Sequence, residues 1–299
     1  MNKNSVKYLL GIDGGGTKTE FLLTDIKGKE IDRVLLGGSN PINVGIENTI
    51  AVLADGIKKI SANIDFSETV VFAGVAGIKT GNFAELINDF LSEYSFVGYS
   101  CSSDVELALE SALKDEDGTV LIMGTGIAAF SRSGEKLYRT GGRGYLIDKG
   151  GSGFHFGSDA LNAAFEFIDG RGGSKIIFEL VEKKLGCSIE KGIVDVYKGG
   201  AASVAAFAPV VFEAAELQDE KALEIIEKNA KEAAAVINGA SNLSGLINKK
   251  VAICGGLSKH KEILCKYISR YLQKDVELVF VDMPMVEAAV SLAKKLSGV

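Results

Sequence analysis

Short apolar runs separated by turn residues organise the first forty positions of the chain. The runs at 6–12, 20–25 and 30–36 are bounded by glycine or by charged residues. Apolar runs of this length are typical of strands, and the short segments between them favour tight connections between neighbours. The pattern therefore predicts three strands joined by turns.

A different hydrophobic period follows. Apolar residues recur every three or four positions at Ile46, Ile50, Leu53, Ile57 and Ile60. This spacing predicts an amphipathic helix that lies on the sheet. The sequence then predicts a strand at 69–75, a helix at 83–91 and a strand at 96–100. Because helix and strand now alternate, this part of the sheet is expected to be parallel.

The order of the first elements recurs about 110 residues later. The stretch TVLIMGTGIAAFSRSGEKLYRTGG, at 119–142, has the same succession of apolar strand, Gly/Thr turn, second strand, polar turn and third strand as YLLGIDGGGTKTEFLLTDIKGKEI, at 8–31. A repeat at this spacing is too long for a solenoid and indicates a duplicated lobe.

The rest of the second half is mainly helical in pattern. It predicts helices at about 152–168, 174–185, 201–217 and 220–243, a strand at 250–254, a helix from 263 to 271, and a last helix at 285–296 that crosses back to the first lobe. The predicted domains are an N-terminal lobe of residues 1–115 plus 285–299 and a C-terminal lobe of residues 116–284.

Composition and charge exclude several classes of protein. The 299 residues are 46% hydrophobic and 24% charged, which excludes a disordered or fibrous chain. The formal net charge of -6 disfavours a nucleic-acid partner, because phosphate backbones are bound by surplus Lys and Arg. The most apolar stretch, 201–212, contains Pro209 and is shorter than the ~20 residues that span a bilayer, so no membrane partner is expected.

The cysteines point to a reducing compartment. Cys101, Cys187, Cys254 and Cys265 lie far apart, without the spacing of a zinc site or a disulfide framework. The first residues lack the apolar core and cleavage site of a signal peptide. We expect a cytoplasmic protein.

The segment GIDGGGTKT, residues 11–19, is the best candidate for a ligand-binding turn. Three consecutive glycines let backbone amides approach a ligand closely, and a hydroxyl and a cation suited to phosphate follow them: Gly14, Gly15, Gly16, Thr17 and Lys18. Neither a P-loop nor a dinucleotide fingerprint fits, because both require a helix where this chain has a strand-like segment. The segment predicts a hairpin whose tip binds phosphates; the alternative is a glycine hairpin without a ligand.

Asp13 precedes these glycines directly. A carboxylate beside phosphate-binding amides repels the ligand unless a divalent cation lies between them. Asp13 is therefore a candidate Mg²⁺ partner, either directly or through water.

Two further glycine turns occur in the second half. One, at Gly124, Thr125 and Gly126, repeats the first turn at the same place in the second lobe. The other, with Gly255, Gly256 and Lys259, follows a strand and opens a helix, as expected where the end of a sheet lies against a nucleobase or ribose. Together the three turns predict that a nucleoside triphosphate is bound from both lobes.

Seven segments, in this order between residues 8 and 259, carry a resemblance to a known family: LLGIDGGGTKTEFLLTD, GGSNPINVG, VFAGVAG, SSD, LIMGTG, GGRGYLIDKGGSGFHFG and AICGGLSK. They resemble the sugar kinase, heat-shock chaperone and actin superfamily of ATPases, and within it the N-acetylglucosamine kinase group of the BadF/BadG/BcrA/BcrD family. The resemblance implies an α/β fold of two ribonuclease-H-like lobes, the actin-like ATPase fold, with ATP and Mg²⁺ in an interlobe cleft.

Two residues gain roles through this resemblance. Asp104 lies between a predicted strand and a predicted helix, where the residues alone favour a plain helix N-cap. The family's catalytic base occupies the matching position, which implies that Asp104 accepts the proton of a sugar hydroxyl and contacts the substrate. Asn40 matches a sugar-contacting Asn of the family; its alternative is a turn residue before Pro41.

The loop around Gly142 departs from the family pattern. The family usually has GGWGYLLGDEGSGYWIG, so Arg143 replaces Trp, Asp148 replaces Gly and Lys149 replaces an Asp that holds sugar hydroxyls. Asp148 is expected to substitute for that Asp one position earlier. Two cations in a sugar-facing loop would suit a substrate that carries a carboxylate, since charge-assisted hydrogen bonds are strong. The alternative is that both cations are solvated or pair with nearby acids.

We therefore expect an ATP- and Mg²⁺-dependent kinase, forming a homodimer, for the 6-hydroxyl of N-acetylglucosamine and N-acetylmuramic acid in cell-wall amino-sugar salvage. Two alternatives stay open: an ATPase activator of a reductive dehydratase, which needs thiolates for an iron-sulfur cluster, and a sugar-sensing ATP-binding module without turnover, which needs no proton acceptor.

Overall fold

The strand and helix patterns correspond to two separate units in the structure, a computed structural model that describes residues 6–60, 64–246, 250–273, 276–281 and 283–298. Unit 1 contains the described residues up to Asp115 together with those from Met283 onwards. Unit 2 contains the described residues from Glu116 to 281. The second boundary thus falls two residues before the predicted one, and the independence of the two units as domains stays a prediction.

The helices and strands of the described residues are as follows, in chain order: β1 Tyr8–Gly14, β2 Lys18–Asp25, β3 Glu30–Gly37, α1 Pro41–Val44, α2 Ile46–Ile60, β4 Thr69–Val75, α3 Phe83–Ser92, β5 Gly98–Ser102, α4 Asp104–Leu113, β6 Gly118–Met123, β7 Ile127–Ser133, β8 Lys136–Gly141, α5 Gly153–Ile168, α6 Lys175–Leu185, α7 Ile189–Lys198, α8 Gly200–Ala205, α9 Ala208–Glu216, α10 Glu220–Ser244, β9 Lys250–Cys254, α11 Lys261–Ile268, β10 Glu277–Phe280 and α12 Met285–Ser297.

The sheet of unit 1 has the strand order β3-β2-β1-β4-β5. β1, β2 and β3 are antiparallel neighbours, whereas β1, β4 and β5 are parallel. One face packs in a core with α2 and α3, to which Leu10 and Ile12 contribute; the other packs against α4 and α12, to which Leu9 contributes. Because helices cover both faces, every residue of β4 is buried.

The sheet of unit 2 has the strand order β10-β9-β6-β7-β8. β6, β7 and β8 are antiparallel neighbours, and β6, β9 and β10 are parallel. When the order is written from the other edge, β8-β7-β6-β9-β10 corresponds strand for strand to β3-β2-β1-β4-β5. The predicted repeat and the α/β fold class are confirmed.

The largest departure from the predicted elements is at 201–217, which forms two helices, α8 and α9, instead of one. Pro209 lies in the first turn of α9, where its missing N–H costs no helical hydrogen bond. The helix is interrupted just before it, between Ala205 and Ala208. Three of the elements given above, α1, α7 and β10, were not predicted. Within the described ranges, none of the helices combines the length and apolar character that crossing a bilayer requires.

Candidate active site

The glycine-rich segment of unit 1 forms the predicted hairpin between β1 and β2. The N–H of Gly15 donates to the carbonyl of Lys18 (2.9 Å), which leaves residues 15–17 at the tip. The turn packs against the chain after β3: an added Cβ at Gly38 would lie 2.3 Å from the carbonyl oxygen of Gly16. An added Cβ at Gly14 would lie 2.5 Å from the Ser39 hydroxyl. The hairpin is therefore held by contacts that only glycine permits.

Asn40 lies against this hairpin. The N–H groups of Ser39 and Asn40 both donate to the Gly15 carbonyl, at 2.9 and 3.1 Å. Its side-chain oxygen accepts from the N–H of Ile42 (2.9 Å) and caps α1, which is compatible with the alternative of a turn residue before Pro41. The Nδ2 group of Asn40 donates to none of the residues that the structure describes.

Asp13 and Asp104 lie at the same edge of the sheet. Asp13 is opposite Gly74 of β4, and Gly74 is opposite Ser102 of β5. Because β1, β4 and β5 are parallel, their carboxyl ends meet at one edge, and Asp104 follows directly on the last of them. The structure therefore brings these two predicted residues together.

The pKa of each of these two carboxyl groups is raised, in both cases chiefly by burial. Burial, followed by the nearby charge of Asp104, raises the pKa of Asp13 to about 6. Burial also raises the pKa of Asp104, against the opposing effects of backbone N–H groups at the start of α4 and of the Lys79 charge. A carboxylate with a raised pKa is a better proton acceptor near neutral pH than a solvated one.

Lys18 lies beside the hairpin tip. Its ammonium pairs with Glu20 at 3.2 Å, and its charge lowers the pKa of Asp13. Thr17 is exposed at the same tip. Both residues therefore lie at the hairpin tip, where a phosphate contact was predicted.

The second glycine turn connects β6 and β7 in unit 2. The N–H of Gly124 donates to the Gly126 carbonyl (3.0 Å). The first amides of α5 donate to this turn, Gly153 to the Gly124 carbonyl (2.7 Å) and Phe154 to the Thr125 carbonyl (3.1 Å). An added Cβ at Gly124 or Gly126 would meet no atom within 4 Å.

The third glycine turn lies against the second. An added Cβ at Gly255 would be 2.5 Å from the Met123 carbonyl, which places this turn at the end of β6. Gly256 and Lys259 are exposed in the 3₁₀ turn that follows. The two predicted nucleotide turns of unit 2 are thus neighbours.

In the loop after β8, the carboxylate of Asp148, which was predicted to bind sugar, accepts hydrogen bonds from the loop itself. Asp148 Oδ2 accepts from the N–H groups of Arg143 (2.9 Å) and Gly144 (3.1 Å). The side chains of Arg143 and Lys149 are exposed, and Gly142 is packed against the guanidinium of Arg139. Asp148 shapes this loop, while a sugar contact by Asp148 stays a prediction.

Asn229, which anchors the same loop, was not predicted from the sequence. This residue of α10 is fully buried. Its Oδ1 accepts from the N–H of Gly151 (2.9 Å), and its Nδ2 donates to Asp159 (2.8 Å). The signal in the sequence that could have revealed this role is an Asn among the apolar positions of a predicted helix.

Comparison with known proteins identifies the family. A model described as the BadF/BadG/BcrA/BcrD ATPase family matches residues 10–290. The chain belongs to this family. Membership in the BadF/BadG/BcrA/BcrD ATPases implies that it uses ATP.

Two curated relatives align over most of their length. The N-acetylmuramic acid/N-acetylglucosamine kinase of Clostridium acetobutylicum is 25% identical over 279 residues, covering 89% of this chain and 90% of the relative. The N-acetyl-D-glucosamine kinase of Dictyostelium discoideum is 28% identical over 293 residues, covering 91% and 92%. A solved structure from Chromobacterium violaceum, a candidate N-acetylglucosamine kinase, has a TM-score of 0.75 at 23% identity and covers 97% of this chain and 99% of that one. This structural similarity supports the fold.

Proposed function

We propose that the protein is an amino-sugar kinase that transfers the γ-phosphoryl group of ATP to the 6-hydroxyl of N-acetylglucosamine and of N-acetylmuramic acid. The observation that carries the proposal is the pair Asp13 and Asp104 at one sheet edge, next to a glycine hairpin. The names of the two curated relatives support the substrate class.

Asp104 is the proposed proton acceptor. Phosphoryl transfer to an alcohol needs a group that receives the hydroxyl proton as the oxygen attacks. Burial raises the pKa of Asp104, which strengthens it as a base, while backbone N–H groups at the start of α4 hold its carboxylate in place. Both properties are those of a positioned general base.

Asp13 is the proposed contact for Mg²⁺. This ion is commonly held by one or two carboxylates, with waters and substrate phosphates completing its coordination, so a single partly buried carboxylate fits. No group of three or more metal-ligating side chains occurs in the described part of the chain, which agrees with binding mainly through the nucleotide. When bound, Mg²⁺ would neutralise charge on the transferring phosphoryl group.

The glycine turns are the proposed phosphate contacts. Exposed backbone amides in closely packed glycine turns bind phosphate oxygens without side-chain obstruction. The residues proposed to bind ATP are Asp13, Gly14, Gly15, Gly16, Thr17, Lys18, Gly124, Thr125, Gly126, Gly255, Gly256 and Lys259.

Asn40 is the proposed sugar contact in unit 1. Its side-chain oxygen caps α1 and so fixes the side chain, while its Nδ2 group stays available to a sugar. In unit 2 the proposed contacts lie in the loop with Gly142, Arg143, Asp148 and Lys149. An acidic sugar as substrate would place the enzyme in cell-wall amino-sugar salvage. A cytoplasmic location and a homodimer stay predictions.

The alternative of a reductive-dehydratase activator is not favoured. Such a protein needs thiolates to ligate an iron-sulfur cluster. Cys101 and Cys254 are buried within strands of different units, and burial raises the pKa of Cys101 to about 12, which keeps it a thiol. Iron analysis of the purified protein would test this directly: a stoichiometric cluster would revive the alternative.

A coupled ADP-release assay tests the proposal, with N-acetylglucosamine, N-acetylmuramic acid, glucose and N-acetylmannosamine as acceptors. ADP release that depends on the two N-acetylated gluco-sugars is expected. ADP release that is independent of any sugar would contradict the kinase. Sugar binding without turnover would instead support the sensing module.

A further inference from the structure

The loop between β4 and α3 leaves the sheet beside both carboxylates. The N–H of Ala76 donates to the Gly14 carbonyl (2.8 Å), next to Asp13. β4 also lies between β1 and β5, so the loop emerges between Asp13 and the start of α4. The same loop touches the proposed sugar contact, because an added Cβ at Gly77 would lie 2.3 Å from Asn40 Oδ1.

Lys79 is the cation of this loop. Its side chain is exposed and makes no ion pair with any residue in the described ranges, in contrast to Lys18, which pairs with Glu20 at 3.2 Å. The positive charge of Lys79 is close enough to Asp104 to lower the pKa of that carboxyl group. A cation without an ion pair among the described residues therefore lies in the loop that runs beside Asn40, close enough to Asp104 for its charge to act there.

We propose that the Lys79 ammonium binds the carboxylate of an acidic N-acetylhexosamine, forming an anion subsite within unit 1. The inference rests on the proposed kinase function and deepens it. An anionic substrate that approaches Asp13 and Asp104 meets two carboxylates and is repelled unless a cation compensates. A neutral N-acetylhexosamine has no carboxylate for Lys79 to bind, so the residue distinguishes the two substrate classes.

The kinetic test compares N-acetylmuramic acid with N-acetylglucosamine at one fixed pH for all variants. Lys79→Met should lower kcat/KM for the acidic sugar about 10- to 100-fold, the worth of one charge-assisted hydrogen bond, with a much smaller loss on the neutral sugar. Lys79→Arg should restore most of the loss. Equal losses on both sugars, or no loss on the acidic one, would overturn the subsite.

Two variants serve as controls. Lys27→Met removes a lysine from the exposed β2–β3 turn, at the opposite end of β1 from Asp13, and should leave both sugars unaffected. Arg143→Ala tests the cation of unit 2. Selective loss of the acidic sugar in Arg143→Ala but not in Lys79→Met would assign the carboxylate to the other unit and overturn the proposal.

Calorimetric binding without ATP separates this inference from the kinase assignment. The probes are N-acetylmuramic acid and its uncharged methyl ester. The acid should bind more tightly than the ester to the wild-type protein, and Lys79→Met should abolish the difference. If the protein phosphorylates N-acetylglucosamine but binds acid and ester equally, the subsite is wrong and the kinase stands. If it transfers no phosphoryl group but shows the Lys79-dependent difference, the kinase is wrong and the subsite stands.

Discussion

The two units share one strand order but end their first strands differently. In unit 1, β1 ends at Asp13 and Gly14; in unit 2, β6 ends at Ile122 and Met123. Asp13 carries a carboxylate whose pKa burial raises to about 6, whereas both end residues of β6 are apolar and Met123 is fully buried. The same scaffold therefore presents a charged group in one unit and only backbone groups in the other.

The turns of the two units are also supported differently. In unit 1 the hairpin carbonyl of Gly15 accepts from Ser39 and Asn40, which directs a polar loop to the site. In unit 2 the turn at Gly124 accepts from the first amides of α5. In the described residues, six helices lie between β8 and β9 of unit 2, where unit 1 has α1 and α2 between β3 and β4.

The largest expected effect is on kcat, and it distinguishes Asp104 of unit 1 from a carboxylate of unit 2. Asp104→Asn should lower kcat about 10²- to 10⁴-fold, the contribution of a general base, with little change in the dissociation constant for ATP. Asp195→Asn, which changes an exposed carboxylate on α7 of unit 2, is the matched control and should leave kcat unchanged. Coupled ADP release and nucleotide titration measure both variants, and an equal loss of kcat in the two would remove the distinction between the units.

The next comparison is between Gly38, which packs against the glycine turn of unit 1, and Gly124, which lies in the glycine turn of unit 2. An added Cβ at Gly38 meets the backbone of Gly16, so Gly38→Ala should destabilise unit 1 by roughly 1–3 kcal/mol and lower Tm by several degrees. Gly124→Ala has open space and should leave Tm almost unchanged. If its backbone approaches phosphate, the KM for ATP should nevertheless rise roughly tenfold.

Thermal melts and ATP kinetics on the same two preparations measure these changes. A destabilised Gly124→Ala variant with a normal KM for ATP would show that the unit 2 turn is structural. A stable Gly38→Ala variant would show that the hairpin of unit 1 accommodates a side chain by moving.

The smallest expected effect is a gain in stability. The folded-state pKa of Asp13, about 6, lies above its ordinary value of 3.8, so an ionised Asp13 destabilises the ligand-free fold above pH 6. Asp13→Asn should therefore stabilise the protein at pH 7.5 by roughly 1–3 kcal/mol, after allowance for partial exposure. The gain should diminish as the pH falls through 6 and vanish below 3.8, where Asp13 is protonated in both states.

Urea denaturation at pH 7.5 and pH 4.5 measures this difference. Asp89→Asn, which changes an exposed carboxylate on α3, is the control and should have little effect at either pH. An Asp13→Asn variant that is less stable than the wild type at pH 7.5 would contradict the electrostatic description of the site.

Much of the fold was predictable because hydrophobic period decides local structure. The helix stripe beginning at Ile46 and the buried strand at 69–75 match α2 and β4 residue for residue. β10 was missed because it is a four-residue edge strand that only partly buries its side chains. The break between α8 and α9 was missed because a proline in the first turn of a helix is compatible with the helical pattern on both sides of it.

The site was less predictable, because its contacts join distant positions. Asp13 and the glycine hairpin were found from their adjacency in sequence. No local pattern encodes the packing by which Asp148 is occupied by its own loop and Asn229 anchors that loop across 78 positions. The same is true of the Lys79 charge, which lowers the pKa of Asp104. Local chemistry therefore indicated the candidate residues, and only the tertiary structure shows which of them lie together.

The most direct test of amino-sugar phosphorylation is ³¹P NMR of the product formed from ATP, Mg²⁺ and N-acetylglucosamine by the wild-type protein. A phosphomonoester resonance coupled to the two protons at C6 of the sugar is expected. Conversion of the γ-phosphoryl group to inorganic phosphate alone, with the sugar present and unmodified, would contradict it.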